Sequence, residues 1–280
     1  MKDYRAIFDQ LETSLRRQSS LTEQAFRERL DKFMHVEGKP LSDNEYYWIM
    51  VCVIFYSGFQ ASKVTAKLDL IRSYFADYEI VATYGSREVS EILSDKNMIK
   101  NRRKIQACIE NAQALKAIVA EHGSFDAYVA SFDPTESFEN LMLLKEELEY
   151  RFVYLGKITV YHFLTDIGMP VLKPDRIVTR IFRRLGLIES EKQLLKTVLL
   201  GRKFSKATAL PVRYIDIVFA TYGGVGGDRD LGIANGICLE KNPNCLVCGL
   251  RDYCDYYAKR LQLSEIAGER SRKGKRKHGN

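Results

Sequence analysis

The sequence predicts an all-α fold, and three observations carry that expectation. Apolar side chains recur at three- and four-residue spacings in one stretch after another from Tyr4 to about residue 220. Glycine and proline stand between those stretches, at Gly38-Lys39-Pro40, Gly58, Gly168 and Pro174. The strongest apolar run, YYWIMVCVIFYSG, follows Ser42, with Glu45 placed three residues after that serine as in a capping box. At 280 residues, 46% hydrophobic and 28% charged, the chain has material for one large domain or two small ones. Its apolar runs fall short of the roughly 20 residues a membrane helix needs, and the charged start MKDYRAIFDQ is not a signal peptide. A cytoplasmic protein without a membrane partner is expected, nucleoid-associated if the source is prokaryotic.

Residues 1–41 read as helices with polar surfaces, Tyr4 to Arg17 and Thr22 to Met34, and carry no recognisable chemistry. The helix opened by Ser42 runs to Gly58 and, being strongly apolar, reads as a buried central element. The stretch FQASKVTAKLDLIRSYF starts another amphipathic helix, with Gln60 and Lys63 near its beginning. Further on, Lys100, Arg102, Arg103 and Lys104 gather near a helix start, with Ile105, Cys108, Ile109 and Ala112 beneath them as core. Such a run is either a solvated face or a phosphate contact.

In residues 154–187, YLGKITVYHFLTDIGMPVLKPDRIVTRIFRRLGL, Gly156 opens a helix with Ile158, Tyr161, Phe163, Leu164 and Ile167 as its apolar positions. Gly168 ends it where a left-handed residue is needed. A glycine turn that points N–H groups outward at a helix start is a ready phosphate site. Pro174 then presets φ, and Asp175 stands at the start of a second helix with Ile177, Ile181, Phe182 and Leu185 as the buried stripe. Arg176, Arg180, Arg183 and Arg184 are assigned to its other faces. Read alone, Asp175 is an N-cap. Residues 188–220 give two more helices, the second being PVRYIDIVFATYG, and GGVGGDRDLGIANG reads as a flexible loop without the Lys-Ser/Thr of a P-loop.

Four of the six cysteines, Cys238, Cys245, Cys248 and Cys254, form the pattern C-x6-C-x2-C-x5-C. In a reducing compartment such a group holds a metal or a cluster in preference to disulfides. Zinc is the generic alternative, but its ligands come as two close pairs, and here only Cys245 and Cys248 are that close. Four cysteine thiolates suit a 4Fe-4S cluster. Cys52 and Cys108 lie on apolar stripes as small hydrophobes.

These parts, in this order, resemble the helix-hairpin-helix DNA glycosylase superfamily. Residues 86–132, above all Asn-Arg-Arg-Lys-Ile-Gln-Ala at 101–107, are similar to 3-methyladenine DNA glycosylase I, and ELEYRFVYLGKITVYHFL resembles that family's hairpin. The turn at Gln60 is similar both to that family and to endonuclease III, and the cysteine spacing resembles the endonuclease III cluster loop. Two departures stand out. The base-recognising Glu and the pocket Trp of 3-methyladenine DNA glycosylase I fall on Ser57 and Thr65, and its N-terminal metal-binding Cys/His set has no counterpart.

The resemblance implies a two-lobed helix-hairpin-helix DNA glycosylase fold with a C-terminal iron-sulfur cluster loop. The implied boundaries are N-terminal helices at 1–41, a helical barrel lobe with the hairpin at 42–160, a C-terminal lobe with the catalytic Asp at 161–237, the cluster loop at 238–254 and a basic, disordered tail at 255–280. The partner implied is double-stranded DNA with a damaged or modified base, bound by a monomer in base-excision repair. Asp175 would stabilise the sugar cation as the base leaves. Gln60 would fill the gap left by the flipped base, and Lys63, Lys100, Arg102, Arg103, Lys104, Gly156, Arg176 and Arg180 would contact DNA. Eighteen residues separate Lys157 from Asp175, the interval of the endonuclease III lysine that forms a Schiff base, yet the hairpin pattern would instead set Lys157 against a phosphate. The reading is therefore a monofunctional enzyme acting on an alkylated base, with a bifunctional lyase or a non-catalytic DNA-binding protein as alternatives. Tyr56, Tyr154, His162 and Trp48 are candidates for the base pocket.

The net charge of +7 is unevenly spread: the last twelve residues carry six Lys/Arg and one Glu, leaving about +2 for residues 1–268. The DNA face is thus a local patch, and the tail is either a salt-sensitive arm or a solubilising end.

Overall fold

A computed structural model describes residues 2–262, whose regular secondary structure is helical, the isolated bridge between Asp228 and Ile233 being the only sheet-like pairing among them. In chain order the helices are α1 (Tyr4–Gln18), α2 (Glu23–Asp31), α3 (Asp43–Tyr56), α4 (Ala61–Thr65), α5 (Leu68–Phe75), α6 (Tyr78–Val81) and α7 (Ser86–Ser94). There follow α8 (Arg102–His122), α9 (Phe125–Ala130), α10 (Phe138–Arg151), α11 (Thr159–Asp166), α12 (Arg176–Arg184), α13 (Leu194–Thr208) and α14 (Val212–Gly223). Among the described residues no helix is long and apolar enough to cross a membrane.

Two compact units divide the chain. One holds residues 33–173 with 211–213, and the other holds 2–32, 174–210 and 214–262. The chain passes from the first to the second after Lys173, so α11 stays with the helices before it instead of joining the C-terminal part at 161.

In the unit of residues 33–173, α3 is the central helix, with Tyr47, Met50, Val51, Val53, Ile54 and Phe55 fully buried. Its start is the expected capping box: the Ser42 hydroxyl accepts from the Glu45 N–H, while the Glu45 carboxylate accepts from the Ser42 N–H at 2.7 Å. Gly58, at φ +73°, turns the chain out of it. The helix expected after Gly58 is split into α4 and α5, because Lys67 departs from helical geometry at φ −121°, ψ 4°. The long α8 packs against α3, where the Tyr47 hydroxyl donates to the Cys108 carbonyl at 3.0 Å. Gly168 follows α11 at φ +86°, and a Cβ there would lie 2.5 Å from the Val36 carbonyl oxygen, so both its conformation and its neighbour require glycine.

The other unit is built on an aromatic core. Phe182 of α12 meets Phe219 of α14 at 5.1 Å between ring centroids, Phe219 meets Phe204 of α13 at 5.1 Å, and Phe8 of α1 lies 6.0 Å from Phe219. Each such pair is worth roughly 0.5–1.5 kcal/mol beyond its buried area. The glycine-rich loop expected to be flexible is closed on itself by backbone bonds: Asp228 and Ile233 exchange both N–H to carbonyl bonds at 2.8 Å, and the Gly236 N–H donates to the Gly224 carbonyl at 3.0 Å. The tail expected from 255 is helical over 255–262, with Tyr256 covered by the Arg184 guanidinium at 4.6 Å; the basic stretch beyond, 263–280, lies outside the described residues.

Candidate functional site

The hairpin between α10 and α11 carries the first group of candidates. Its left-handed residue is Tyr154, at φ +68°, whereas Gly156 is not in that region. A bulky side chain at positive φ is strained, so its neighbours must hold it there. The Asn111 side chain, buried in α8, does this on one side: its amide donates to the Val153 carbonyl at 2.9 Å, and its oxygen accepts from the Val153 N–H at 2.8 Å. On the other side the Thr159 hydroxyl donates to the Tyr154 carbonyl. Sequence reasoning misses Asn111; the available signal is a polar residue on the buried stripe of α8, seven positions after Lys104. After the turn, no backbone carbonyl among the described residues accepts from the N–H groups of Gly156, Lys157 or Ile158. This row of donors precedes α11, the arrangement that suits an anion. Lys157 is exposed beside it.

Gln60 is exposed at the N-cap of α4 and makes no capping hydrogen bond. Lys63, Lys100, Arg102 and Arg103 are exposed as well. Lys104 departs from the phosphate-contact reading. It is only 3% exposed, and its ammonium donates to the carbonyls of Ile54, Phe55 and Ser57 at the end of α3. The α8 N-cap, Asn101, directs it inward by fixing the first turn, its side chain accepting from the Lys104 N–H at 3.2 Å. Desolvation pushes the Lys104 ammonium down to about 8.

The pocket candidates have other partners. Tyr56 Oη lies 2.9 Å from Thr65 Oγ1, and Trp48 lies under the Arg72 guanidinium at 5.3 Å. His162 Nε2 is 3.3 Å from Asp166 Oδ2, and Arg213 reaches Asp166 Oδ1 at 2.8 Å. Burial alone would raise the Asp166 carboxyl, but Arg213, His162 and Lys173 together hold it below the usual carboxylate range. The Tyr154 ring packs on the Lys104 ammonium.

Asp175 is the N-cap of α12. Its Oδ1 accepts from the N–H groups of Ile177 at 2.9 Å and Val178 at 3.0 Å, which fixes the carboxylate at a helix start. The expected arginine faces need correction. Arg180 is 6% exposed and donates to the carbonyls of Gly223 at 2.8 Å and Cys238 at 3.2 Å, so its guanidinium is turned inward and not toward an outer face. Its approach depends on Gly223, where a Cβ would meet Ile177 Cγ2 at 2.6 Å and the Arg180 guanidinium at 3.0 Å. Arg184, also buried, donates to Cys238 Sγ at 3.1 Å and to the carbonyls of Leu239 at 2.7 Å and Glu240 at 3.1 Å. Arg176 is exposed, with its guanidinium 3.3 Å from both Glu240 carboxylate oxygens, and Arg183 is paired with Glu191 at 2.8 Å.

Cys238, Cys245, Cys248 and Cys254 all line one small cleft, together with Arg184, Tyr256 and Tyr257. The thiols point to separate partners: Cys248 Sγ is 2.9 Å from the Tyr222 hydroxyl, and Cys254 Sγ is 3.5 Å from the Arg184 carbonyl. Among the described residues, no three such side chains are drawn together at ligand distance. Desolvation pushes the Cys238 and Cys254 thiols up, and Arg184 opposes this at Cys238.

Comparison with known proteins gives a match of residues 30–173 to the family described as methyladenine glycosylase. Among solved structures, 3-methyladenine DNA glycosylase I from Staphylococcus aureus is 22% identical, over 50% of this chain and 84% of that one, with a TM-score of 0.43. The 8-oxoguanine DNA glycosylase of Thermotoga maritima is 17% identical, over 76% of this chain and 95% of that one, at 0.49. An endonuclease III trapped as a covalent intermediate with DNA is 17% identical, over 86% of this chain and 99% of that one, at 0.53. At that identity the last likeness is one of fold.

Proposed function

The chain belongs to the methyladenine glycosylase family, and from that premise we propose how its own residues release a base. The enzyme is a DNA N-glycosylase of the helix-hairpin-helix type, a hydrolase of N-glycosyl bonds. Its substrate in this proposal is duplex DNA carrying an alkylated, 3-methyladenine-like base. Extruding that base costs a few kcal/mol, least where alkylation has already weakened its pairing. Gln60 enters the gap, the donor row at Gly156–Ile158 binds a phosphate, and Lys63, Lys100, Arg102, Arg103 and Arg176 add attraction that does not depend on sequence.

The observation that carries the proposal is the oriented carboxylate of Asp175. As the base leaves, positive charge builds on the sugar, and a carboxylate fixed in advance stabilises it without reorganising. Alkylation of adenine places positive charge on the base before it departs, so the leaving group needs little help from a general acid. Ser57 and Thr65 stand at the family's Glu and Trp positions, so the family's base-recognising contacts do not carry over and the pocket differs from the family's.

The four cysteines fit a 4Fe-4S cluster. They line one cleft, the Arg184 guanidinium already donates to the Cys238 sulfur, the Tyr222 hydroxyl lies within hydrogen-bond distance of the Cys248 sulfur, and the spacing has only one close pair. Such a cluster would supply a cross-link within the loop and no step of base release. The test is incubation with duplexes carrying alkylated, oxidised or deaminated bases. Release from the alkylated duplex supports the proposal; release only from another duplex reassigns the substrate, and tight binding with no release from any would make this a binding protein.

A further inference from the structure

Lys104 is a buried cation with no carboxylate among its partners, and the mechanism above does not use it. A charge at 3% exposure is costly unless its hydrogen bonds are satisfied. An ammonium has three donors, and three carbonyls receive them: Ile54, Phe55 at 3.4 Å and Ser57 at 2.6 Å. These belong to the last turn of α3, whose final carbonyls lack intrahelical partners and favour a cation. Two aromatic faces complete the surroundings, Phe59 with its ring centroid at 5.1 Å and Tyr154 at 5.3 Å. Phe59 directly precedes Gln60. Tyr154 is the left-handed residue of the hairpin, and seven residues along α8 from Lys104 the Asn111 side chain holds the adjacent Val153.

We infer that Lys104 is a positioning residue, tying the turn that carries Gln60 and the tip of the hairpin to one point on α8 so that both meet DNA as one body. The inference deepens the reading of those two elements as the gap-filling and phosphate-binding parts, and rests on it. A lysine whose affinity for its proton is lowered by burial also invites a nucleophilic role. Here all three protons are engaged and the side chain is enclosed, which favours holding over attack.

The test is hydrogen exchange on the intact chain without DNA, comparing wild type with Lys104→Met, a substitution that keeps the straight aliphatic stem and removes the ammonium. Exchange should rise at least tenfold in residues 57–61 and 152–156 together, with α10 and α12 unchanged. A rise in one segment alone, or in neither, would overturn the inference. Should Lys104→Met fail to fold, Phe59→Leu decides: Phe59 is 40% exposed, so the variant should fold, and its loss should speed exchange in 152–156, which an independent hairpin would not show. In single-turnover excision Lys104→Met should release base at least tenfold more slowly, and a borohydride-trapped adduct on Lys104 would refute the positioning role. If wild type releases no base from any duplex, the glycosylase reading fails, while the exchange result still decides the coupling.

Discussion

Replacing Asp175 by Asn separates the capping this side chain does from the catalytic role proposed for it. As an N-cap, Asp175 uses Oδ1 to accept from the Ile177 and Val178 N–H groups at 2.9 and 3.0 Å, and an Asn carbonyl can accept the same bonds. Asn and Asp cap about equally well, so Asp175→Asn should unfold within a few tenths of a kcal/mol of wild type. The bond from the Thr179 hydroxyl to the Asp175 backbone carbonyl, at 2.7 Å, does not involve the substituted group. Chemistry is affected differently. Loss of one preorganised electrostatic partner of a developing charge costs roughly 3 kcal/mol, which is about a hundredfold in rate. Asp175→Ala should in addition lose the cap, about 1 kcal/mol, or roughly 2–4 °C in melting temperature. The assay is single-turnover release from a duplex with one alkylated adenine, at saturating enzyme, alongside thermal unfolding. An Asp175→Asn enzyme that releases base within threefold of wild type would refute the assignment of the sugar-facing charge to this residue.

Anaerobically purified protein should be yellow-brown with about four irons per chain, as a cluster held by four cysteines requires; colourless protein with one zinc would sink the cluster. Arg103→Ala should weaken binding to all duplexes alike and reduce its salt dependence, whereas Gln60→Ala should slow excision with undamaged-DNA affinity retained, and equal losses on both kinds of DNA would remove Gln60 from the gap-filling role. Borohydride should trap no covalent complex, and Lys157→Ala should weaken DNA binding while leaving single-turnover release nearly intact; an adduct lost in that variant would make the enzyme a lyase. For Lys104, the folded chain releases a proton near pH 8 that the unfolded chain keeps to about its ordinary 10.5, so stability relative to Lys104→Met should rise between those values, as denaturant unfolding across that range would show.

Local signals set by chemistry are legible in the sequence. The Ser42–Glu45 box, the stop at Gly168 and the cap at Asp175 each depend on residues within a few positions of one another, and all three occur as read. What is not legible is where long cationic side chains turn. Lys104 reads with Arg102 and Arg103 as one charged run, but a helix rotates successive residues by about 100°, and Lys104 falls on the stripe with Cys108 and Asn111. Arg180 and Arg184 turn inward for the same reason, toward carbonyls 58 and 55 positions ahead that no local pattern announces. The strain in the hairpin also sits on a residue other than the expected one, because Gly156 is the residue type that tolerates positive φ while Tyr154 is the one that adopts it.

Arg176, Arg180 and Arg184 of α12 stand at intervals of four, and all reach the segment Cys238–Glu240. A helix anchored at one end could still spin about its long axis, and a quarter turn would swing a terminal carboxylate several ångströms. Anchoring along a whole stripe removes that freedom: α12 behaves as a keyed shaft, and the cysteine loop is the slot that sets its angle. Damage to the loop would therefore register as a misaimed Asp175, a loss of rate in a protein that remains folded.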